Sequence, residues 1–186
     1  METDAGAVRP DPGFRRQVEE ALGQKISPCY HCNKCSSGCP VTFAMDILPN
    51  KIVRMVQMGL KEEVLKSSTI WLCASCQTCT TRCPNEVDIA GLMDLLREMA
   101  VREGVPAAAE EVPLFHLTFL DAVEKRGRVY EMGMLAAYKL KTRKSGGLFK
   151  DAALGWEMFK RGKLRLIPDK VRHREQIEEI FRRSRS

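Results

Sequence analysis

All eight cysteines of this 186-residue chain lie in two runs that share one spacing. Each run reads C-x2-C-x2-C-x3-C-P, and every cysteine of the second run lies 44 residues after its counterpart in the first. The first run contains Cys29, Cys32, Cys35 and Cys39, and the second contains Cys73, Cys76, Cys79 and Cys83. Soft thiolates at this spacing are the ligands that iron bound to sulfide prefers. The runs therefore predict two 4Fe–4S clusters.

The fourth cysteine of each run has a separate role in this prediction. In bacterial-type proteins with this run and two clusters, the fourth cysteine binds the other cluster. The proline that follows it fixes φ and turns the chain away from the loop. We therefore expect cluster 1 to be bound by Cys29, Cys32, Cys35 and Cys83, and cluster 2 by Cys73, Cys76, Cys79 and Cys39. The alternative is that each run supplies a self-contained set of four ligands.

Other cysteine chemistries fit the pattern less well. Four-thiolate zinc sites typically combine two separated C-x2-C pairs, so a zinc-stabilised binding module is a remote alternative. Disulfides are typical of exported chains, and residues 1–6 lack the basic-then-apolar order of a signal peptide. A redox-active C-x-x-C motif needs a thioredoxin-like setting of strands and helices, which the helical pattern here does not indicate.

The residues near the cysteines have simpler interpretations. Eight thiolates satisfy both clusters, so we expect His31 not to be a ligand, and His116 and His173 to be partly exposed side chains on helices. Met55, Met58, Met93 and Met99 have helical spacing and are expected in the core. Small residues within the runs would let backbone N–H groups approach cluster sulfurs, although tight turns favour them too. They are Ser36, Ser37, Gly38, Ala74, Ser75, Thr78 and Thr80.

The segment between the two runs indicates the fold class. Compact bacterial ferredoxins join their motifs by short hairpins, but here 33 residues separate Cys39 from Cys73 and carry helical periodicity. We therefore predict an all-α protein, with an α-helical ferredoxin-like cluster domain and a helical C-terminal arm. The expected division is a lead-in and helix over 1–24, the cluster domain over 25–105, and the arm over 106–186.

Start and stop signals predict the helices of the first part. Asp11-Pro12 is a typical helix start, and Gly23 a typical end. A connecting helix is expected from Pro49 to about Gly59 and a shorter one over 60–67, after which residues 68–72 return the chain to the second run. Asp88 is expected to cap the strongest helix, which ends near Gly104. Its apolar face contains Ile89, Leu92, Met93, Leu96, Met99 and Ala100.

The arm differs from the first part in charge. Residues 1–113 contain 12 Lys and Arg against 15 Asp and Glu, whereas residues 114–186 contain 18 against 9. Helices are predicted over 114–126, 129–141, 148–161 and 171–183. The basic residues alternate with helix-spaced apolar residues, which favours docking on a protein partner over nucleic acid. A private helical core is the alternative for the large apolar side chains Phe115, Phe119, Leu120, Tyr130, Met134, Leu135, Tyr138, Trp156 and Phe159.

Membrane insertion is not indicated. Charged residues interrupt every apolar run before it reaches the roughly 20 residues that a membrane-spanning helix needs. With no export signal and eight cysteines, we expect a cytoplasmic protein.

The two motifs and the helical connector resemble the C subunit of heterodisulfide reductase, chiefly over residues 25–105. Many two-cluster subunits of dehydrogenases share the motifs, but this chain has neither an added C-x4-C-x2-C domain nor a large cysteine-rich C-terminal domain. The tail also resembles that of relatives of the C subunit found beyond the methanogens. The similar stretches are 119–120, 127–131 and 162–164.

This resemblance implies an electron relay. In the family, the C subunit passes electrons from a flavin-containing A subunit to a cysteine-rich B subunit that cleaves the disulfide. The present chain has no adjacent Cys-Cys pair, no spare cysteine and no G-x-G-x-x-G run, so we expect no catalytic residues and no direct small-molecule substrate. The alternatives are a freestanding ferredoxin-like carrier and an iron–sulfur subunit of another dehydrogenase.

Overall fold

The computed structural model describes residues 10–142, 156–162 and 171–184. These residues form helices, turns and loops, and they contain no β-strand, which confirms the all-α prediction for this part of the chain. The chain divides into two compact units, residues 1–110 and residues 111–186. No helix among the described residues is both long enough and apolar enough to span a bilayer.

The first unit contains both cysteine runs between its longer helices. Its helices are α1 (Phe14–Leu22), α2 (Lys34–Ser37), α3 (Pro49–Gln57), α4 (Lys61–Lys66), α5 (Thr69–Leu72), α6 (Thr78–Thr81) and α7 (Ile89–Arg102), with a 3-10 turn at Thr42–Ala44. Helix α2 lies inside the first cysteine run and α6 inside the second. These two single-turn helices were not predicted, because four residues are too few for a helical apolar period to appear.

The core of this unit is built on α7, which packs against α1, α4, α5 and α6. Its fully buried side chains include Phe14 and Val18 of α1, Ile52, Val53 and Val56 of α3, and Leu92, Met93 and Leu96 of α7. Each side chain of this size contributes about 1.5–3 kcal/mol when it leaves water. The core therefore fixes the helices on both sides of each cysteine run.

Two of the predicted helix boundaries are confirmed by their caps. Gly23 ends α1 with a left-handed φ of 68°, and its N–H bonds back to carbonyls of the last turn. Asp88 begins α7 as expected, because its Oδ1 accepts a hydrogen bond of 2.9 Å from the backbone N–H of Gly91. A cap of this kind typically contributes about 1 kcal/mol.

The predicted start of α1 at Asp11 is wrong by about two residues. The helix begins at Phe14, and Asp11 Oδ1 instead accepts from the N–H of Gly13 at 2.8 Å. The backbone N–H of Asp11 donates to the carbonyl of Gly59 at 2.8 Å. Gly59 has a φ of 77°, and a Cβ there would lie 2.3 Å from the Asp11 carbonyl oxygen. This contact with the α3–α4 turn holds Asp11 outside the helix.

The connector contains three helices, where two were predicted. Helices α3 and α4 confirm the expected pair, whereas α5 lies in the return segment, for which no helix was predicted. The predicted core position of Met58 is also wrong, because this residue ends α3 and is 50% exposed. Met93 and Met99 are buried as expected, and Met55 is half-buried.

Helix α5 is held by Asp46, which lies more than 20 residues before it. The Asp46 carboxylate accepts hydrogen bonds from Ser67 Oγ at 2.8 Å, Ser68 N at 2.8 Å, Thr69 N at 3.0 Å and Thr69 Oγ1 at 2.7 Å. Partial burial opposes the charge, but these hydrogen bonds outweigh it and hold the pKa of Asp46 far below its ordinary value. Because α5 ends immediately before Cys73, Asp46 also fixes the start of the second run.

The second unit contains α8 (Glu111–Arg126), α9 (Glu131–Thr142) and the last helix, α10 (Arg174–Ser184). A helix was predicted over residues 148–161. Residues 156–160 are helical and residue 161 lies in a turn, whereas residues 148–155 lie outside the described residues. The last helix begins at Arg174 and not at 171, because His173 precedes it with a left-handed φ of 60°. His173 is thus beside a helix and not on it.

Apolar side chains of the second unit are divided between packing and exposure. Helices α8 and α9 pack together, and the rings of Phe115 and Tyr138 meet edge to face with centroids 5.5 Å apart. Leu117, Leu140 and Trp156 are nevertheless mostly exposed. This unit therefore has some internal packing and also presents apolar surface to solvent.

Candidate iron–sulfur site

The two cysteine runs have the same backbone conformation at equivalent positions. His31 and Ser75 have φ of 60° and 48°, and Asn33 and Gln77 have φ of 67° and 62°. Each pair is separated by the same 44 residues as the cysteines. A left-handed conformation costs a non-glycine residue roughly 1–2 kcal/mol. Such residues persist only where the surroundings impose them, and they concentrate at functional sites.

A hydroxyl group in each run joins the single-turn helix to the long helix that follows. Ser36 Oγ accepts from the N–H of Asn50 at 3.0 Å and donates to Asn50 Oδ1 at 2.8 Å. Thr80 Oγ1 accepts from the N–H of Ala90 at 3.2 Å and donates to Asp88 Oδ1 at 2.9 Å. Asn50 and Ala90 are each the second residue of their helix, α3 and α7. The two repeats therefore use the same connection.

The first run is also held by the last residue of α3. Gln57 Nε2 donates to the carbonyl of Ile26 at 3.0 Å and to that of Cys29 at 3.4 Å. Gln57 Oε1 lies 2.9 Å from His31 Nε2, and Arg54 Nη1 donates to the same oxygen at 3.4 Å. His31 thus has a protein partner through Nε2, while its Nδ1 lies 3.9 Å from Cys29 Sγ.

In the second run, Arg97 takes the place that Gln57 has in the first. Arg97 is the ninth residue of α7, as Gln57 is of α3. Arg97 donates to the carbonyl of Cys73 at 3.5 Å and to Ser75 Oγ at 2.8 Å, and it forms an ion pair with Asp94. Both repeats therefore bind the carbonyl of their first cysteine from the ninth residue of the following helix.

Cys39 lies beside the cysteines of the other run. One cavity is lined by Cys39 from the first run and by Cys73, Cys76 and Cys79 from the second. Its other lining residues are almost all apolar: Val41, Met45, Pro49, Ala74, Thr78, Ile89, Ala90 and Met93. The structure thus brings together the four residues predicted for cluster 2.

The residues predicted for cluster 1 are also neighbours. Burial raises the pKa of the Cys29 thiol, and the nearby thiols of Cys83 and Cys32 raise it further. Burial likewise raises the pKa of the Cys35 thiol, and the nearby Cys29 thiol raises that pKa further. Cys83 Sγ accepts a hydrogen bond of 3.3 Å from the N–H of Val87. Each fourth cysteine therefore lies near the thiols of the opposite run.

The donor set fits an iron–sulfur cluster. All eight cysteines are free thiols, and thiolate is the ligand that such clusters require. Among the described residues, no three His, Cys, Asp or Glu side chains converge as ligands of a single ion would. Cys39, Cys73, Cys76 and Cys79 instead line one cavity. This arrangement suits a multi-atom cluster held at its corners.

One buried donor next to the second run has no protein acceptor. Trp71 is 6% exposed, and its Nε1 has no hydrogen-bond partner among the described residues. It belongs to α5, whose C-cap is Cys73. An unpaired buried N–H costs about 1–3 kcal/mol, so an acceptor from outside the protein chain suits this position.

Four residues that hold the runs in place were not predicted from the sequence, namely Asp46, Gln57, Asp94 and Arg97. A signal for two of them was present, since Gln57 and Arg97 occupy the same position in the helix after each run. Aligning those helices on their starts, at Pro49 and Ile89, pairs the two residues. Asp46 has no counterpart in the other repeat and no local signal.

Comparison with protein families gives one matching domain. Residues 25–87 match the family described as the 4Fe-4S dicluster domain. The match includes both cysteine runs and the helices that connect them.

Curated relatives match a similar region. The C subunit of the H(2):CoB-CoM heterodisulfide,ferredoxin reductase of Methanothermobacter marburgensis is 31% identical over 101 residues, 54% of this chain and 55% of the relative. The iron-sulfur C subunit of the CoB--CoM heterodisulfide reductase of Methanopyrus kandleri is 35% identical over 96 residues, 52% of this chain and 49% of the relative.

A third relative matches over a longer stretch. The second iron-sulfur C subunit of the CoB--CoM heterodisulfide reductase of Methanocaldococcus jannaschii is 33% identical over 114 residues, 61% of each chain. The chain therefore spans about half to three fifths of the length of these relatives.

Proposed function

We propose that this chain, which is similar to heterodisulfide reductase C subunits over about half of its length, holds two 4Fe–4S clusters and relays electrons between the other subunits of a redox complex. The general role, iron–sulfur electron transfer, follows from the family. The number of clusters, their ligands and the partners are our proposal.

The observation that carries the proposal is the position of Cys39. This cysteine lines one cavity with Cys73, Cys76 and Cys79, all from the other run. The proximity of Cys83 to Cys29 supports the reciprocal arrangement. In the proposed site, Cys29, Cys32, Cys35 and Cys83 hold cluster 1. Cys73, Cys76, Cys79 and Cys39 hold cluster 2.

The protein residues around the thiols supply shape and hydrogen bonds. A bound 4Fe–4S cluster accepts and releases one electron at a potential that hydrogen bonds, charge and solvent exposure adjust. The left-handed residues of each run curl the backbone around the thiols, and Ser36 and Thr80 fix the runs to α3 and α7. This rigid attachment keeps the thiols in place, whatever the charge of the group they hold.

For the partners, we propose a flavoprotein resembling the family's A subunit as electron donor and a cysteine-rich protein resembling its B subunit as the disulfide-reducing acceptor. The names of the relatives describe heterodisulfide reductase subunits, which supports such a complex. The exposed Leu117, Leu140 and Trp156 of the second unit supply apolar surface for docking. The chain itself acts as a relay without catalytic residues. We place this complex in the cytoplasm, because eight free thiols fit a reducing compartment.

The test is anaerobic purification of the native protein with iron and acid-labile sulfide analysis. We expect about eight iron atoms and about eight sulfides per chain, the content of two cubane clusters. Zinc in place of iron in a folded sample would refute the proposal. Identification of co-purifying subunits tests the partners separately, since a freestanding carrier runs alone on size exclusion.

A further inference from the structure

The two repeats differ in charge at two equivalent positions. Lys34 is the first residue of α2, and Thr78 is the first residue of α6. Arg54 is the sixth residue of α3, and Asp94 is the sixth residue of α7. The cationic residues thus belong to the first repeat, and the acidic residue belongs to the second.

Two cations belong to the surroundings of the first run, one through hydrogen bonds and one by its place in the run. Arg54 donates to the side chain of Gln57, which in turn bonds to the carbonyl of Cys29. Lys34 lies between Cys32 and Cys35 in the run itself. Neither cation forms an ion pair with a carboxylate of the described residues within 4.0 Å.

Around the second run, the charges cancel or are negative. Asp94 forms an ion pair with Arg97 and accepts from Ser75 Oγ at 2.8 Å, so this group is neutral as a whole. Asp88 adds a negative charge beside Thr80, whereas Leu48 is the corresponding N-cap of α3. Apolar side chains line almost the whole cavity at this run.

Each run also has a hydroxyl group near its thiols. Tyr30 lies beside the thiols of Cys32, Cys83 and Cys29. Slight desolvation raises the pKa of its phenol, and the adjacent Cys32 thiol raises that pKa further. Its counterpart in the second run is Ala74. The second run has its own hydroxyl, Thr78 Oγ1, 3.3 Å from Cys76 Sγ. Both runs therefore have a hydroxyl group near a thiol, and the two runs are distinguished here by their charges.

Reduction adds a negative charge to a cluster, so nearby cations favour it and apolar or anionic surroundings oppose it. We infer, on the basis of the proposed two-cluster function, that Lys34 and Arg54 give cluster 1 the higher reduction potential of the pair. A single electron delivered to the chain then resides mainly on cluster 1. Arg82 adjoins Cys83 of cluster 1 and lies against Gly38, next to Cys39 of cluster 2, so its position does not assign its charge to one cluster.

The experiment is a redox titration of the anaerobic protein followed by electron paramagnetic resonance, which gives two midpoint potentials. Arg54→Gln and Lys34→Gln should each lower the higher potential, and Asp94→Asn should raise the lower one. Each change should amount to about threefold in the reduction equilibrium, or about 28 mV for a one-electron couple. All three variants therefore narrow the gap between the potentials.

The sign of the change decides the outcome. If cluster 2 has the higher potential, the same three substitutions widen the gap, and this result overturns the inference. A gap that none of them changes also overturns it. Arg102→Gln is the matched control, because it removes a cation paired with Glu98 at the far end of α7 and should move neither potential.

Iron and sulfide analysis of every variant separates this inference from the proposed function. About eight irons per chain with an unchanged gap refute the potential order and leave the two-cluster relay intact. A wild-type protein without iron refutes the relay itself. If Asp94→Asn loses its clusters because Ser75 and Arg97 lose their partner, the two exposed cation variants still test the order.

Discussion

The two cysteine repeats have one backbone conformation but are fixed by different side chains. In the first repeat, the neutral Gln57 binds the carbonyl of the first cysteine, and in the second the cationic Arg97 does so. Helix α3 begins with Pro49 and no side-chain cap, whereas Asp88 caps α7. The shape of the loop is therefore the requirement that both repeats share. The chemistry that fixes it varies, and it therefore remains available for adjusting each cluster separately.

The largest expected effect tests whether the repeats exchange their fourth ligands. Cys83→Ala should lose the same cluster as Cys29→Ala, and iron should fall from about eight to about four atoms per chain. Cys39→Ala should instead match Cys73→Ala. Iron analysis and the paramagnetic spectrum of each reduced variant provide the measurement. Agreement between Cys83→Ala and Cys73→Ala would favour self-contained sets of ligands.

Asp46→Asn tests the anchor that only the second repeat has. We expect the free energy of unfolding to fall by about 2 kcal/mol, because charge-assisted hydrogen bonds to Ser67, Ser68 and Thr69 weaken. Since folding lowers the pKa of Asp46, its contribution is full above the unfolded value of about 3.9 and is lost as the pH falls further.

Anaerobic denaturant titrations at several pH values check this prediction. The difference between wild type and Asp46→Asn should be full at pH 7 and should shrink below about pH 3.9. Asp121→Asn, which loses an exposed ion pair with Lys125, is the control and should cost less than about 0.5 kcal/mol. Equal costs for the two variants would contradict the anchoring role.

Ser36→Ala and Thr80→Val compare the connection that both repeats share. Ser36→Ala should cost about 1.5 kcal/mol, because the N–H of Asn50 loses its acceptor in a buried position. Thr80→Val should cost about 1 kcal/mol, since Thr80 is less buried. Urea titration measures both, and the exposed Ser37→Ala is the control. A larger cost for Thr80→Val would reverse the expected ranking.

The smallest expected effect comes from making the second repeat resemble the first. Arg97→Gln removes the donor to Ser75 and the ion pair with Asp94, and it leaves an amide of the type found at Gln57. We expect a loss of about 0.5–1 kcal/mol, because the Asp94 partner of the ion pair is half-exposed. Thermal unfolding under anaerobic conditions measures it. A loss of unfolding free energy above about 3 kcal/mol would show that glutamine cannot replace arginine at this position.

The parts of the fold that the sequence predicted are those with local signals. Gly23 and Asp88 set helix ends through bonds within a few residues, so their roles were readable in advance. Pairing between distant segments was not readable: Asp46 holds Thr69, and Asp11 bonds to Gly59. Both contacts depend on the tertiary fold, which explains the unpredicted α5 and the misplaced start of α1.

The candidate site shows the same division. Spacing alone selected the eight cysteines, because every one of them belongs to the repeated pattern. The ligand assignment itself stays a prediction until the cysteine variants are measured. The residues around the thiols were harder to find, since Gln57 and Arg97 differ in type and are paired only when the two helices are aligned on their starts.

The paired left-handed residues have a practical consequence for construction of new proteins. Because His31 and Ser75, and likewise Asn33 and Gln77, adopt nearly the same backbone angles, the two runs are interchangeable parts in shape. We expect a segment copied from one position into the other to keep its curvature and to bring its own charges. Exchanging such segments would allow the charge near each cysteine run to be changed without a change in the surrounding helices.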